Sequence, residues 1–403
     1  MTLSAKHTKL AGYIGYLTQA LIINFPPLLF ITFINTYNIS ISMISVLIGT
    51  SFIVQLLVDA FAAKFSTRLN IRKTMIIALI LAAFGISSYA YLPDIMPSPF
   101  IGLFISTFVA SIGAGFVEVL VSPIIEACPT DGKSAAMSIL HSFYAWGHAG
   151  IIILSTLFFK LIGIEHWRIL ACVWAVIPLI GMLAFSVVPI YKLASDTERD
   201  TQASSRRPAW RSGIFIVFFV IMVCAGAAEQ VMAQWASTFA ESGLGVPKEI
   251  GDILGPCAFG LFMGVSRVIY ARFSHILDLR NYIFYSSIIC VFAYLTAAIS
   301  PSPIISLIGC AVCGLSSGMM WPGTYSLATE RIPNMGMQVF ALLALGGDVG
   351  CALGPAAAGW IAELLGNDLR IAFAISAIFP LIIVFLLLIH VRNRKDRSKN
   401  ERH

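Results

Sequence analysis

Apolar stretches of about twenty residues recur along the whole chain, with short polar segments between them. A helix rises about 1.5 Å per residue, so such a stretch can cross about 30 Å of hydrocarbon. Residues 75–84 and 371–388 have almost no polar face, which a helix on the surface of a soluble protein would need. The pattern predicts twelve membrane-spanning helices, at 10–35, 41–63, 74–92, 99–127, 134–161, 168–190, 212–240, 250–271, 282–299, 303–329, 337–364 and 370–391.

Composition agrees with this pattern. Hydrophobic residues make up 58% of the 403 residues and charged residues only 11%, whereas soluble domains carry about 25% charge. The predicted fold class is therefore all-α, a polytopic membrane protein.

The distribution of Lys and Arg predicts the orientation. With the N-terminus on the cytoplasmic side, the predicted outer segments hold only Lys160, Arg168, Lys248 and Arg370, and nearly all other basic residues fall inside. Both termini are expected in the cytoplasm, with the protein in a bacterial cytoplasmic membrane. The net charge of +6 then reflects this bias and the anionic inner leaflet, and no nucleic-acid partner is expected.

The chain divides into two similar halves. A polar segment at 191–211 separates six predicted helices at 1–190 from six at 212–391, and a basic tail follows at 392–403. The sequence DAFAAKFS at 59–66 resembles RVIYARFS at 267–274. Arg72 and Arg280 are separated by the same number of residues as these two segments. Parallel six-helix repeats with a binding site between them are typical of the major facilitator architecture.

Charged residues at helix ends suggest a gate. Asp59 followed by a basic loop that starts at Lys64 resembles the acidic-then-basic signature that major facilitators carry after the second helix. We expect Asp59 to face the positive N-terminus of another helix, the eleventh being favoured. Arg267 would need an acid, and the candidates are Glu126 and Asp131. The alternative is that these charges simply reach water from helix ends. The gating set also includes Arg272.

Ionisable residues inside the predicted spans indicate a hydrated pathway, because a charge at the centre of a membrane helix costs roughly 2.5–3.5 kcal/mol. Glu118, His141, Glu229 and Asp348 are the candidates for proton coupling. Counted along their helices, Glu118 lies about 15 Å and His141 about 12 Å from the inner ends, so the two are expected at one level. A static hydrogen-bonded pair that holds the N-terminal helices together is the structural alternative.

The segments 118–123 (EVLVSP) and 140–147 (LHSFYAWG) resemble motifs of the fucose/hexose–proton symporter branch of the major facilitators. The resemblance implies that Glu118 binds sugar or couples protons. Ser122 stands in place of the branch's Asn, and His141 in place of its Gln. The branch also uses an acid in the first helix, where this chain has Pro27, with Asn24 as the nearest polar residue.

Polar and aromatic residues within the spans are candidates for binding the solute. The seventh helix carries a run of small residues before Glu229, which allows close approach of another helix. Packing between helices is the alternative role for the Gln and Trp residues. The full substrate-binding set is Asn24, Gln55, Ser122, Tyr144, His148, Gln230, Gln234, Trp235 and Trp321.

These features predict a monomeric secondary transporter that imports a small, sugar-like solute with protons by alternating access. Proton-driven efflux of drugs or amphipathic metabolites is the alternative. No enzyme activity is expected, because no nucleophile with a base and an orienting group stands out. No cofactor is expected either, since a phosphate-binding Gly-rich loop is lacking. Cys310-x-x-Cys313 lacks the second ligand pair of a metal site.

Overall fold

The computed structural model describes residues 4–65, 69–129, 133–191, 212–273, 276–332 and 337–391, and within them all side chains except those of residues 63–64, 126, 133–138, 141–142, 271, 329–330 and 337–341. The helices are α1 (Ala5–Asn24), α2 (Phe30–Tyr37), α3 (Ile41–Phe65), α4 (Ile71–Ser88), α5 (Leu92–Ile95), α6 (Pro99–Glu126), α7 (Lys133–Ile162), α8 (Trp167–Trp174), α9 (Val176–Val187), α10 (Gly213–Thr238), α11 (Lys248–Asp252), α12 (Ala258–Phe273), α13 (Leu279–Ile299), α14 (Pro303–Ser317), α15 (Met320–Arg331), α16 (Met337–Leu364), α17 (Leu369–Ser376) and α18 (Ile378–His390). Within these ranges there is no strand.

Twelve candidate membrane spans lie in the described part of the chain, so the prediction of an all-α membrane protein is confirmed. Six spans consist of one long helix each: α3, α4, α6, α7, α13 and α16. The first span joins α1 to α2, and the seventh extends α10 with a π-helical turn at Phe239–Gly243. The remaining spans pair α8 with α9, α11 with α12, α14 with α15, and α17 with α18.

Proline accounts for several interruptions within spans, because it lacks a backbone N–H and collides with the preceding turn. Pro26 and Pro27 form a 3₁₀ turn between α1 and α2. Pro256 lies in the π-helical segment Ile253–Cys257 that joins α11 to α12. The sixth and twelfth spans are each broken at one alanine, and a proline follows three residues later. This matching break supports the two-repeat organisation.

Two arginines have the same structural role in the two repeats. Arg72 lies near the start of α4, and Arg280 near the start of α13. Arg72 donates hydrogen bonds of 2.7–2.8 Å to the carbonyl oxygens of Phe185, Ser186 and Val188 at the end of α9. Arg280 donates bonds of 2.8 and 3.0 Å to those of Leu387 and Val391 at the end of α18. Each cation thus satisfies carbonyl groups that a helix end leaves without partners.

The caps of these helices also correspond. The side chain of Asn70 accepts a hydrogen bond from the backbone N–H of Lys73 at 3.1 Å, and that of Asp278 accepts one from Asn281 at 2.9 Å. A side-chain acceptor at this position satisfies an N–H group at the start of a helix. The repeat that the sequence predicts around Arg72 and Arg280 therefore extends to local hydrogen bonding.

The chain forms two compact units. The first comprises Met1–Ile39 and Thr50–Ser205, and the second comprises Ser40–Gly49 and Arg206–His403. Helix α3 is thus divided, because its first nine residues group with the second unit. The predicted linker core at 192–211 and the tail at 392–403 lie outside the described residues.

Candidate functional site

In the first unit, α1 and α6 pack closely and bring polar groups together. The side chain of Ile125 packs on Gly12, and the side chains of Val117 and Val121 pack on Gly15. One residue further along α1, the Tyr16 hydroxyl lies 3.0 Å from Ser122 Oγ. These contacts fix an antiparallel register between the two helices.

Glu118 lies in this polar region, one turn before Ser122 on α6. The Glu118 side chain is half-buried, and its negative charge interacts electrostatically with the Tyr16 hydroxyl. Tyr16 is only 5% exposed. The structure therefore brings the predicted residues Glu118 and Ser122 together with a tyrosine that the sequence analysis did not select. Helix α1 carries two tyrosines, and only the packing of α1 on α6 distinguishes Tyr16 from Tyr13.

Helix α7 lies beside α1 and runs in the same direction. The rings of Tyr13 and Phe143 stack with centroids 4.3 Å apart, and Gly147 faces Leu17 and Ala20. This register brings His148, which is 2% exposed, to about the level of Glu118. His141 lies two turns, about 10 Å, nearer the start of α7; its side chain is outside the described residues.

Other predicted residues of this unit are held by nearby partners. Gln55 is buried in α3 and donates from Nε2 to the Ser51 carbonyl at 3.2 Å. It packs against Gly115, about one turn from Glu118. Asn24 is buried and donates to the carbonyl of Ala20 at 2.8 Å within its own helix. A further predicted residue, Tyr144, is half-buried beside the apolar core formed by α1, α4, α6 and α9.

In the second unit, α10 and α16 pack backbone against backbone. A Cβ at Gly226 would overlap the carbonyl of Gly347, and one at Gly350 would overlap that of Val223. The small residues before Glu229 thus allow the close helix approach that their pattern predicts. The Trp321 ring packs on the backbone of Gly347, next to Asp348. Asp348 is half-buried in α16.

Glu229 lies in α10, and its side chain is half-buried. The positive charge of Arg267, on α12, interacts electrostatically with the Glu229 carboxylate. Arg267 Nε also donates to the Gly318 carbonyl at 3.0 Å. Glu229 is therefore an acid that interacts with Arg267 within this unit, and it was not among the partners predicted for Arg267. Two helix positions far apart in sequence can be matched only through their packing.

Gln230, Gln234 and Trp235 follow Glu229 and are all buried. Gln234 Nε2 donates to Gln230 Oε1 at 3.3 Å, so the two amides bond to each other. Trp235 is 0% exposed, and its indole N–H donates to the Pro355 carbonyl at 2.9 Å. In this structure Trp235 joins α10 to α16.

An ionic cluster lies where α10 and α11 approach, and its residues are not among the predicted site residues. Asp252 is 1% exposed, accepts from Ser237 Oγ at 2.5 Å and lies 3.2 Å from Lys248 Nζ. The Glu241 carboxylate lies 4.0 Å from the same amine. The spacing of Lys248 and Asp252, four residues apart on a short helix, was the available signal.

Comparison with known proteins identifies the family. The model of the Major Facilitator Superfamily matches residues 12–339 and 257–403, which together cover most of the chain. The chain belongs to the Major Facilitator Superfamily. It is therefore a multi-pass membrane transporter of the alternating-access type.

Solved structures agree with this assignment at the level of the fold. The nucleoside transporter NupG is 14% identical, with a TM-score of 0.73 and coverage of 98% of this chain and 100% of that one. A D-xylose–proton symporter is 14% identical, with a TM-score of 0.75 and coverages of 96% and 97%. A bacterial homologue of the human lysosomal transporter Spinster is 15% identical, with a TM-score of 0.71 and coverages of 96% and 95%. No curated protein sequence matches the chain.

The residues expected to form the gate of this superfamily member are only partly described. Asp59 is half-buried on α3, and Arg272 is exposed at the end of α12. The side chains of Lys64 and Glu126 are outside the described residues, and so is all of Asp131. The predicted gating roles of all these residues stay predictions.

Proposed function

We propose that this transporter imports a small, hydroxyl-rich solute such as a sugar together with a proton. The observation that carries the proposal is the polar region around Glu118 on α6, where the Tyr16 hydroxyl meets Ser122 and the carboxylate acts on that hydroxyl. Hydroxyl and amide groups recognise sugar hydroxyls by hydrogen bonds, and a carboxylate can also carry a proton.

A proton-carrying role for Glu118 follows from its surroundings. An ionised carboxylate within a membrane helix is expensive unless it has water or a partner, and protonation removes the charge. His148 lies at about the same level on α7 and supplies an imidazole within the same unit. Two fold neighbours support the choice of solute, since one is named a D-xylose–proton symporter and the other a nucleoside transporter. Both xylose and a nucleoside carry sugar hydroxyls.

The proposal includes the orientation and organisation that the sequence predicts. Both termini would lie in the cytoplasm of a bacterial cell, and the monomer would consist of six-helix bundles at 1–190 and 212–391 joined by the linker at 191–211. The biased distribution of Lys and Arg supports this orientation.

Purified protein in liposomes tests the function. Uptake of labelled D-xylose and L-fucose would be measured with an inward proton gradient, together with the pH change outside. We expect Glu118→Gln to abolish accumulation and to retain exchange of solute, because an amide can hydrogen-bond but cannot carry a proton. Glu165→Gln is the matched control, since the Glu165 side chain is 70% exposed in the turn before α8.

Unchanged pH-dependent accumulation by Glu118→Gln would refute proton coupling through this residue. Proton-linked efflux of an amphipathic dye, without uptake of either sugar, would favour the export alternative.

A further inference from the structure

Gln19 is a buried polar residue of α1 that no feature of the sequence singles out. Its side chain is 4% exposed, and its Oε1 atom has no hydrogen-bond partner among the described residues. A buried acceptor without a partner costs about 1–3 kcal/mol, so native proteins rarely keep one without a use. In the part of the first unit that the structure describes, Gln19 thus holds a buried acceptor without a hydrogen-bond partner.

The register of α1 places this acceptor beside the proposed site. Tyr16 is paired with Ser122, and α1 and α6 run in opposite directions. One turn beyond Tyr16 on α1 is Gln19, and one turn before Ser122 on α6 is Glu118. The two residues therefore occupy the same level of adjoining helices.

The packing of α7 on α1 supports the same position. Gly147 faces Leu17 and Ala20, which lie on either side of Gln19 in sequence. His148 follows directly and is 2% exposed. Gln19 thus lies at about the same level as Glu118 of α6 and His148 of α7.

We propose that Gln19 is a solute-binding residue whose Oε1 accepts a hydrogen bond from a hydroxyl group of the transported solute. The inference rests on the proposed function, because it requires a hydroxyl-bearing solute next to Glu118. A bound hydroxyl would satisfy the acceptor, which explains why an apolar residue of similar size does not occupy the position.

Gln19→Leu tests the proposal, since leucine fills similar space without an acceptor. For a transported sugar, we expect the apparent KM to rise about 3- to 10-fold, which corresponds to the free energy of one lost neutral hydrogen bond. One monodeoxy analogue of D-xylose or L-fucose should then be carried equally well by the variant and the native protein. Thr18→Val is the matched control: Thr18 is 0% exposed, but its hydroxyl already donates to the Ile14 carbonyl at 3.0 Å.

Thermal unfolding without solute provides a second, independent measurement. Leucine removes an unsatisfied acceptor, so Gln19→Leu should unfold at the same temperature as the native protein or a higher one. Clearly lower thermal stability would overturn the proposal, because it would show that Oε1 already has a structural partner. An equal loss of affinity for every analogue would overturn it as well.

The two proposals fail in different ways. If the native protein carries neither sugar, transport of these sugars is refuted, and the thermal measurement still decides whether Gln19 keeps an unused acceptor. If the native protein carries a sugar and Gln19→Leu carries it with unchanged KM, only the role of Gln19 is refuted.

Discussion

The hydrogen bond between Tyr16 and Ser122 gives a direct test of whether the cluster around Glu118 serves transport or only stability. Tyr16→Phe removes the hydroxyl and leaves the ring, which is 5% exposed and packs in the core of the first unit. The lost bond is 3.0 Å long and joins two neutral hydroxyls. A bond of this kind contributes about 0.5–1.5 kcal/mol to folding.

The same unit offers a matched control in Tyr89. Its ring is 2% exposed, and its hydroxyl lies 2.7 Å from Thr107 Oγ1. Among the described residues no acid acts on the Tyr89 hydroxyl. Tyr89→Phe therefore removes the same type of bond away from any carboxylate, and the two variants should lose similar stability.

Transport should separate the two variants. Because the Tyr16 hydroxyl interacts with the Glu118 charge, we expect Tyr16→Phe to change the pH at which sugar uptake is half-maximal. We also expect KM to rise about 3- to 10-fold, which corresponds to the free energy of one lost hydrogen bond. Tyr89→Phe should leave both quantities unchanged. Equal pH profiles for the two variants, with equal losses of thermal stability, would show that Tyr16 has only a structural role.

Two further predictions concern stability, measured by thermal unfolding in detergent. Arg72→Gln and Arg280→Gln should each lower the free energy of unfolding by about 2–3 kcal/mol, because each variant loses charge-assisted hydrogen bonds to a helix end. A loss of stability in only one of the two variants would contradict the equivalence of the two arginines. Asp252→Asn should destabilise by about 2–3 kcal/mol, because it leaves the largely buried Lys248 without its nearest carboxylate. Glu241→Gln, 4.0 Å from that amine and partly exposed, should change stability by less than about 1 kcal/mol.

The fold could be predicted from the sequence because each membrane span must satisfy its own backbone hydrogen bonds and cover its surface with apolar side chains. Those requirements are local, so hydropathy alone gives the spans. The repeat was also visible in the sequence, since Arg72 and Arg280 satisfy helix ends in the same way and keep the same spacing.

The site was only partly predictable, because hydropathy gives the depth of a residue but not the neighbour it faces. Glu118 and Ser122 were found as polar residues on one helix, whereas Tyr16 and Gln19 depend on the register of α1 against α6. Counting from loop ends also placed His141 level with Glu118, but the contacts of α7 bring His148 to that level. Helices that start at different depths cannot be aligned by counting alone.

Helix α3 belongs partly to each of the two units, and its start is held by a contact that hydropathy could not have predicted. Its first turns belong to the second unit, where Glu363 accepts a hydrogen bond from the backbone N–H of Ser42 and Gly359 leaves room for Ser45. From Thr50 onwards the same helix belongs to the first unit. A carboxylate at a helix N-terminus stabilises that end by about 0.3–1 kcal/mol, so Glu363 stabilises the start of α3 by an amount of this order.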